Sequence, residues 1–201
     1  MVNLDIRKPD GSYNEKSTYI CGVDCARTGK DETAIVVLEQ LPFDNNIFLV
    51  HIETSHTPDL NMVVGRVKYL NQIFNFKRIM VDETGLGAGV CDMLKSNLGV
   101  KVEGIWYTQK IKAEMFYNLK LLMTRPTGKL FIPDYNSSND PIVRKMYYQF
   151  LSIQQEFNNS EVPKIFHEER SHDDIVNAVA LAAYYWKVGQ NKKKYHFLGI
   201  N

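Results

Sequence analysis

The chain has 201 residues, enough for one domain, and its 44% of hydrophobic residues can fill a sizeable core. A formal net charge of +1 excludes a strongly basic or acidic protein, so any nucleic-acid site must be a local patch. No signal peptide is recognisable, and no apolar run approaches the roughly 18 residues that a membrane-spanning helix needs. The cysteines lack metal-ligand spacing and are expected to be reduced thiols of a cytosolic protein: Cys21, Cys25 and Cys91.

Residues 1–17 are polar, mixed in charge and without periodicity, which predicts a linker or an N-terminal arm. One domain is expected over 18–188. A basic tail is expected over 189–201, where Lys192, Lys193 and Lys194 follow one another. The polar start is consistent with a fragment of a longer protein.

Three apolar strands joined by short turns come next, at Tyr19–Val23, Thr33–Leu38 and Ile47–Thr54. This arrangement predicts a three-stranded antiparallel meander. Thr57 and Pro58 then predict the start of a helix, because a hydroxyl cap is followed by proline in the first turn.

The rest of the chain alternates between short apolar strands and amphipathic helices, which implies parallel strands and therefore a mixed sheet with helices on both faces. A hairpin is expected before the last helix, with its turn at Asn158–Glu161. The last helix is expected over Asp173–Val188, with Ser171 as its cap. The other expected elements are strands at Ile79–Val81, Val100–Trp106 and Leu130–Ile132, helices at Val90–Leu98, Lys112–Met123 and Pro141–Tyr148, and hairpin strands at Leu151–Phe157 and Lys164–His167.

Carboxylates stand at the ends of two predicted strands and at the start of the last helix. Asp24 and Asp82 are the strand-end residues, and ligands of open α/β sheets bind beyond such ends. Asp173 and Asp174 would join them if the helix begins beside these strands. Carboxylates at such a short distance repel one another and raise each other's pKa values. A divalent cation bound between them removes this repulsion. Oxygen ligands favour Mg²⁺ or Mn²⁺, and two such ions about 4 Å apart can promote phosphodiester cleavage.

The same residues also have ordinary structural explanations. Strand-end aspartates are common turn formers, and the helix macrodipole favours aspartate in any first turn. Gly85, Gly87 and Gly89 lack the spacing of a nucleotide-binding loop and suit a tight strand-to-helix turn. Gly29 and Lys30 do not form a P-loop, so the sequence contains no nucleotide-binding motor motif. The pattern alone leaves the metal site open.

Three segments in order resemble the nuclease domain of phage large terminase subunits, an RNase H-like fold of the RuvC-like superfamily. They are Gly22–Leu38 around the first aspartate, Val81–Val90 with its glycines, and His172–Ala182 with its His-Asp-Asp start. The resemblance spans about 18–188. The hairpin region Phe150–Glu168 lies where this family inserts one.

This resemblance implies that Asp24, Asp82, Asp173 and Asp174 are the catalytic metal ligands. Asp24 would bridge two ions, Mg²⁺ or Mn²⁺, and one of the last two aspartates would bind directly. His172 would orient a water or stabilise the leaving group, although a plain place beside the helix cap is an equal alternative.

One position departs from the family. Many relatives have aspartate where this chain has Asn177, one turn beyond Asp173 and Asp174. If that charge matters, metal affinity here is expected to be weaker, without loss of activity.

The implied activity is endonucleolytic cutting of concatemeric double-stranded viral DNA in the host cytoplasm, with low sequence preference. The implied partners are a packaging ATPase domain upstream, a small terminase subunit and the portal. DNA would be held by basic residues, with the hairpin tip at Asn158–Pro163 as a further contact, although the same charges could simply form a solvated helix face. The basic candidates are Lys110, Lys112, Lys120, Arg125 and Lys129.

Two other classes share features with this pattern. A RuvC-like junction resolvase also uses a carboxylate set but acts on branched DNA. A non-catalytic ATP-binding module of the actin or sugar-kinase type shares the meander and an early aspartate, but needs a glycine-rich phosphate loop soon after it.

Overall fold

A computed structural model describes residues 2–5, 16–26, 32–42, 45–56, 59–136, 138–157, 162–168 and 172–197, with the backbone alone at 2–5 and 188–197. In this part of the chain no helix is long and apolar enough to cross a membrane.

A seven-stranded mixed sheet forms the centre of the molecule. Its order is β1-β4-β3-β2-β5-β6, and β7 pairs with the start of β4. The neighbours β2, β3 and β4 pair antiparallel, whereas β2, β5 and β6 pair parallel, which confirms the predicted meander and mixed sheet. The strands are β1 Val2–Asp5, β2 Thr18–Asp24, β3 Thr33–Gln40, β4 Ile47–Ser55, β5 Arg78–Asp82, β6 Val102–Ile105 and β7 Leu130–Phe131.

Helices cover both faces of the sheet, as predicted. The first two helices pack with one apolar cluster, and the other three pack with a second cluster on the opposite face. A separate hairpin precedes the last helix, also as predicted. The helices are α1 Leu60–Phe74, α2 Leu86–Leu98, α3 Gln109–Thr124, α4 Pro141–Ser152 and α5 Asp174–Phe197, and the hairpin strands are β8 Ile153–Glu156 and β9 Lys164–His167.

Several predicted boundaries are wrong. The cap of α1 is Asp59, whose carboxylate accepts from the Asn61 N–H at 2.8 Å, and the predicted Thr57 and Pro58 lie outside the described residues. The helix α2 begins at Leu86 instead of Val90, because Gly85 supplies a turn with φ of 64°.

Other elements are longer or shorter than predicted. The strand β1 adds an edge to the sheet within the segment 1–17, where the sequence predicts none. A single 3-10 turn occupies the predicted start of β6, and α4 continues through Ser152 into the predicted hairpin strand. The helix α5 continues past Val188 to Phe197, since lysines are good helix formers. The predicted cap Ser171 and the hairpin turn Asn158–Glu161 lie outside the described residues.

The last helix lies unusually close to the sheet. A Cβ atom at Gly22 of β2 would overlap the backbone carbonyl of Ala178 in α5 and touch the side chain of Ala182. Glycine on the strand and alanines on the helix therefore set the distance between these two elements. This distance matters for the site, because α5 begins and β2 ends at the same edge of the sheet.

We expect Gly22→Ala to lower the free energy of unfolding by about 1–3 kcal/mol, because the helix must move away from the strand. Gly65→Ala is the matched control, since Gly65 is exposed in α1 and a Cβ there meets nothing within 4 Å. That change should stabilise the protein by about 0.5–1 kcal/mol through helix propensity. Chemical denaturation measures both, and equal effects of the two substitutions would contradict the close packing.

Candidate metal centre

The two strand-end aspartates point to the same face of the sheet. Side chains alternate along a strand, and Ile20 of β2 and Met80 of β5 both belong to the apolar cluster that α5 covers. Asp24 lies four residues after Ile20, and Asp82 lies two residues after Met80, so both aspartates face the same side of the sheet as these apolar residues. The strands β2 and β5 are parallel neighbours with Val23 opposite Val81, so both carboxylates emerge side by side at the carboxyl edge.

The first turn of α5 lies at that edge. The Asn177 N–H donates to the Asp173 carbonyl at 2.8 Å, which makes Asp173 the N-cap position and Asp174 the first helical residue. The Asn177 side chain reaches the sheet, where its Nδ2 donates to Asp24 Oδ2 at 3.1 Å. The start of α5 therefore lies beside the strand ends, as predicted.

Electrostatics describe the same convergence. Burial raises the pKa of the Asp24 carboxyl well above its usual value, and the charges of Asp82, Asp174 and Asp173 raise it further, in that order. Among the described residues, the hydrogen bond from Asn177 acts in the opposite direction. Asp174 acts on Asp24 more strongly than Asp173 does, and it is also the more buried of the two. All four predicted carboxylates thus interact, with Asp24 at their centre.

Asp82 is held by the turn that follows it. Its Oδ1 accepts from the Thr84 N–H at 2.8 Å, and the Thr84 hydroxyl accepts from the Tyr107 N–H at 3.2 Å. Gly87 has no room for a Cβ, which would overlap the Asp82 carbonyl. The neighbouring acid, Glu83, lies against Gly104 and pairs with a lysine at 2.9 Å, away from this group. The glycines therefore form the tight strand-to-helix turn that was one of the two interpretations.

Asp173 has a lysine and a histidine as neighbours that the sequence does not reveal. Lys112, at the start of α3, donates from Nζ to Asp173 Oδ2 at 3.0 Å. His167, on the hairpin strand β9, places Nε2 at 3.9 Å from Asp173 Oδ1. Nothing in the local sequence of either residue signals this contact, because it depends on how α3 and the hairpin pack around α5.

The predicted auxiliary residue, His172, lies beside the carboxylates at the surface. Its Nδ1 is 3.9 Å from Asp174 Oδ2, and its side chain is about half exposed. Both of the interpretations made from the sequence, a helper in the chemistry and a polar neighbour of the helix cap, fit this position.

The cysteines lie in the apolar core of the domain. All three cysteines are buried and free. Burial raises the pKa of the Cys25 thiol, and the nearby Asp24 and Asp82 raise it further, so the thiol stays protonated. Gly29 and Lys30 lie outside the described residues.

The donor set fits a hard divalent cation in its chemistry. Carboxylates that repel one another at a buried edge gain from a cation between them, and oxygen ligands suit Mg²⁺ or Mn²⁺. Asn177 Oδ1 is buried and has no hydrogen-bond partner among the described residues, so it can accept from a water in the site. In the same part of the chain, no three His, Cys, Asp or Glu side chains already have the spacing of a complete metal shell. Ion binding would therefore require these side chains to move closer.

The structure divides the predicted DNA-binding residues. Lys110 is exposed at the start of α3, and Lys112, in the same first turn, pairs with Asp173. Lys120 is exposed farther along the same helix. Arg125 and Lys129 lie beside β7 at the opposite edge of the sheet, roughly 20 Å away by the length of β2. The side chains of the tail lysines, Lys192–Lys194, lie outside the described part of the chain.

Comparison with known proteins decides the family. A family model described as the terminase RNaseH-like domain matches residues 21–185. The chain belongs to this family. A search of curated proteins finds no match.

Solved structures share the fold of this terminase domain. The large terminase nuclease of thermophilic phage G20c superposes with a TM-score of 0.68 at 21% identity, covering 88% of this chain and 85% of that one. The large terminase nuclease domain of Thermus phage P74-26 gives 0.69 at 20% identity, covering 92% and 86%. A mutant nuclease domain of the large terminase subunit gp2 of bacterial virus Sf6, solved with manganese and β-thujaplicinol, gives 0.65 at 13% identity, covering 83% and 87%. The predicted RNase H-like fold is confirmed.

We expect Asp24→Asn to stabilise this terminase domain in EDTA at neutral pH, because it removes the most crowded charge and keeps an acceptor for Asn177. The melting temperature should rise by at least about 2 °C, roughly 1 kcal/mol for a domain of this size. The same variant should lose the upward shift that Mn²⁺ produces in the parent protein.

Asp59→Asn is the control for that experiment, because Asp59 is an exposed N-cap where asparagine serves equally well. It should change neither the melting temperature in EDTA nor the Mn²⁺ shift. A destabilised Asp24→Asn protein that keeps its Mn²⁺ shift would contradict the proposed conflict between carboxylates.

Proposed function

We propose that this domain is a metal-dependent endonuclease that cuts concatemeric double-stranded viral DNA during genome packaging. The observation that carries the proposal is the convergence of buried Asp24 with Asp82 and with the acidic start of α5. Membership of the terminase RNaseH-like family supports a phage packaging nuclease. Low sequence preference is part of the proposal.

Asp24 is the central ligand in this proposal, since every other carboxylate of the group acts on it. Asp82 flanks it and is held in place by the Thr84 N–H. Asp174 is the ligand that α5 contributes in this proposal, because its charge acts more strongly on Asp24 than that of Asp173. Asp173, which Lys112 contacts in the metal-free protein, takes the outer position in the site.

We propose that the site binds two ions, either Mg²⁺ or Mn²⁺. The G20c nuclease has been solved with bound magnesium and the Sf6 nuclease domain with manganese, which supports divalent ions for this domain. When bound, such ions would activate a water and neutralise charge that develops on the phosphodiester. Asn177 Oδ1 would orient a water by accepting a hydrogen bond, and His172 would assist at the exposed side.

DNA would approach along the start of α3. Lys110 and Lys120 are exposed on this helix, and Lys112 lies at its first turn beside the carboxylates. Contacts from these residues would go to phosphates, so binding would be salt-dependent and would carry little sequence information. The hairpin tip at Asn158–Pro163 is a further proposed contact.

The proposed partners follow from the family. A packaging ATPase domain, the small terminase subunit and the portal would deliver and restrain the DNA, in the host cytoplasm. Arg125 and Lys129, at the far edge of the sheet, suit a contact with DNA outside the cleavage site or with one of these partners.

Incubation with supercoiled plasmid tests the proposal. We expect nicking and linearisation in Mn²⁺ or Mg²⁺, none in EDTA, and none with Asp24→Ala, because this substitution removes the central ligand. Asp59→Asn should cut as the parent does. Cleavage by Asp24→Ala at the parent rate would refute the proposed site.

A comparison of linear duplex with a four-way junction separates this proposal from the resolvase alternative. Similar rates on both substrates are expected, since nothing in the proposed mechanism requires branched DNA. A strong preference for the junction would favour the resolvase.

A further inference from the structure

A buried glutamine of α4 contacts the start of the acid-bearing helix. Gln149 Oε1 accepts from the Ile175 N–H at 2.8 Å and is 3.4 Å from the Val176 nitrogen, which also donates to it. Gln149 is 3% exposed. The first N–H groups of a helix have no partner within that helix, so this side-chain oxygen satisfies two of them.

That is ordinarily the task of the N-cap side chain. An N-cap aspartate usually folds back and accepts from the second or third N–H of its own helix. Asp173 holds the N-cap position of α5, and Ile175 and Val176 supply these two N–H groups. Because Gln149 occupies them, the Asp173 carboxylate can face α3, where its Oδ2 accepts from Lys112 at 3.0 Å.

We propose that Gln149 is a positioning residue of the metal centre, which caps α5 in place of Asp173 and so keeps the Asp173 carboxylate available to the site. The inference rests on the proposed function, because it concerns a ligand of the same centre. It assigns a role to α4, which contributes no acid to the site.

The glutamine is held firmly enough for this role. Ile142, Val143 and Met146 bury the inner side of α4 in the core, each 1% exposed or less. Lys145, one turn before Gln149, pairs with Glu32 beside the first residue of β3. The helix α4 is thereby tied to the sheet whose edge carries Asp24.

The amide nitrogen of Gln149 indicates that the side chain is needed for its oxygen. Gln149 Nε2 is buried and has no hydrogen-bond partner among the described residues. An unsatisfied buried donor is a cost that a purely apolar side chain would avoid. The helix-capping oxygen is therefore the physical reason for an amide at this place.

Three substitutions test the assignment. Gln149→Met keeps the length of the side chain and removes the acceptor. Gln149→Glu keeps an acceptor at a helix start that favours negative charge. Asn118→Leu is the matched control, because Asn118 is another buried amide that contacts α5, donating to the Ala183 carbonyl at 3.1 Å, far from the acids.

The first readout uses protein in EDTA and needs no metal. Amide exchange of Ile175 and Val176 should change little in Gln149→Met or in Asp173→Ala, because each leaves one capping group. In the double variant it should become at least about fivefold faster, which is the effect of losing a typical N-cap. Full loss of protection in Gln149→Met alone would show that Asp173 does not compete for these amides and would overturn the inference.

The second readout is Mn²⁺ affinity measured by calorimetry. Gln149→Met should weaken binding by at least about fivefold, as expected when Asp173 turns back to cap its own helix. Gln149→Glu should restore the affinity, and Asn118→Leu should leave it unchanged even if it lowers the melting temperature. In an Asp173→Ala background, Gln149→Met should have no further effect.

The two proposals fail differently. If the parent binds no Mn²⁺ and cuts no DNA, the proposed function is wrong, whereas the exchange experiment still decides the capping role. If the parent binds and cuts but Gln149→Met binds Mn²⁺ equally well, the positioning role is wrong and the proposed function stands.

Discussion

The contact between α5 and β2 at Gly22 determines where the acids of the site meet. Because glycine leaves no Cβ between the strand and the Ala178 carbonyl, the helix axis approaches the sheet closely. One residue toward the start of the helix, this approach allows Asn177 to donate to Asp24. Any substitution that pushes the helix outward would separate the acids of α5 from those of the strands. Both the packing of the helix and the geometry of the site therefore depend on this contact.

The close approach has an electrostatic cost. Three carboxylates act on Asp24 at a place where Asp24 and Asp82 are almost fully buried, and this repulsion opposes folding in the absence of a cation. Three neighbouring groups reduce that cost. Asn177 donates to Asp24, the Thr84 N–H donates to Asp82, and Lys112 neutralises part of the charge at Asp173. A destabilising repulsion of this kind is characteristic of sites that are completed by a ligand.

The sequence predicts the strand-end acids because they follow from short-range rules. Alternation along β2 and β5 and the parallel pairing of these strands place Asp24 and Asp82 on one face. The last helix was recognisable from its acidic start and apolar run. Family resemblance then linked the three segments, and the family match over residues 21–185 confirms that interpretation.

What the sequence could not reveal depends on packing between distant elements. Gln149 lies in α4 and has no motif or periodicity that marks it as the cap of another helix. Predicting the pairing of Lys112 with Asp173 would require knowledge of where α3 packs. Predicting the separation of Lys129 from the site would require knowledge of where β7 pairs with the sheet. The extension of α5 past Val188 differs from the predicted tail because the basic run continues the helix.

The most direct test is a crystal structure with Mn²⁺, in which anomalous scattering locates the ions. We expect a manganese peak bound by Asp24 and Asp82, within roughly 2.0–2.6 Å of a carboxylate oxygen of each, as for other hard divalent cations, with Asp174 closing the site. Manganese at this edge would also release Asp173 from Lys112 or leave Asp173 in the outer position. A fully loaded crystal with no peak beside Asp24 would contradict the central claim.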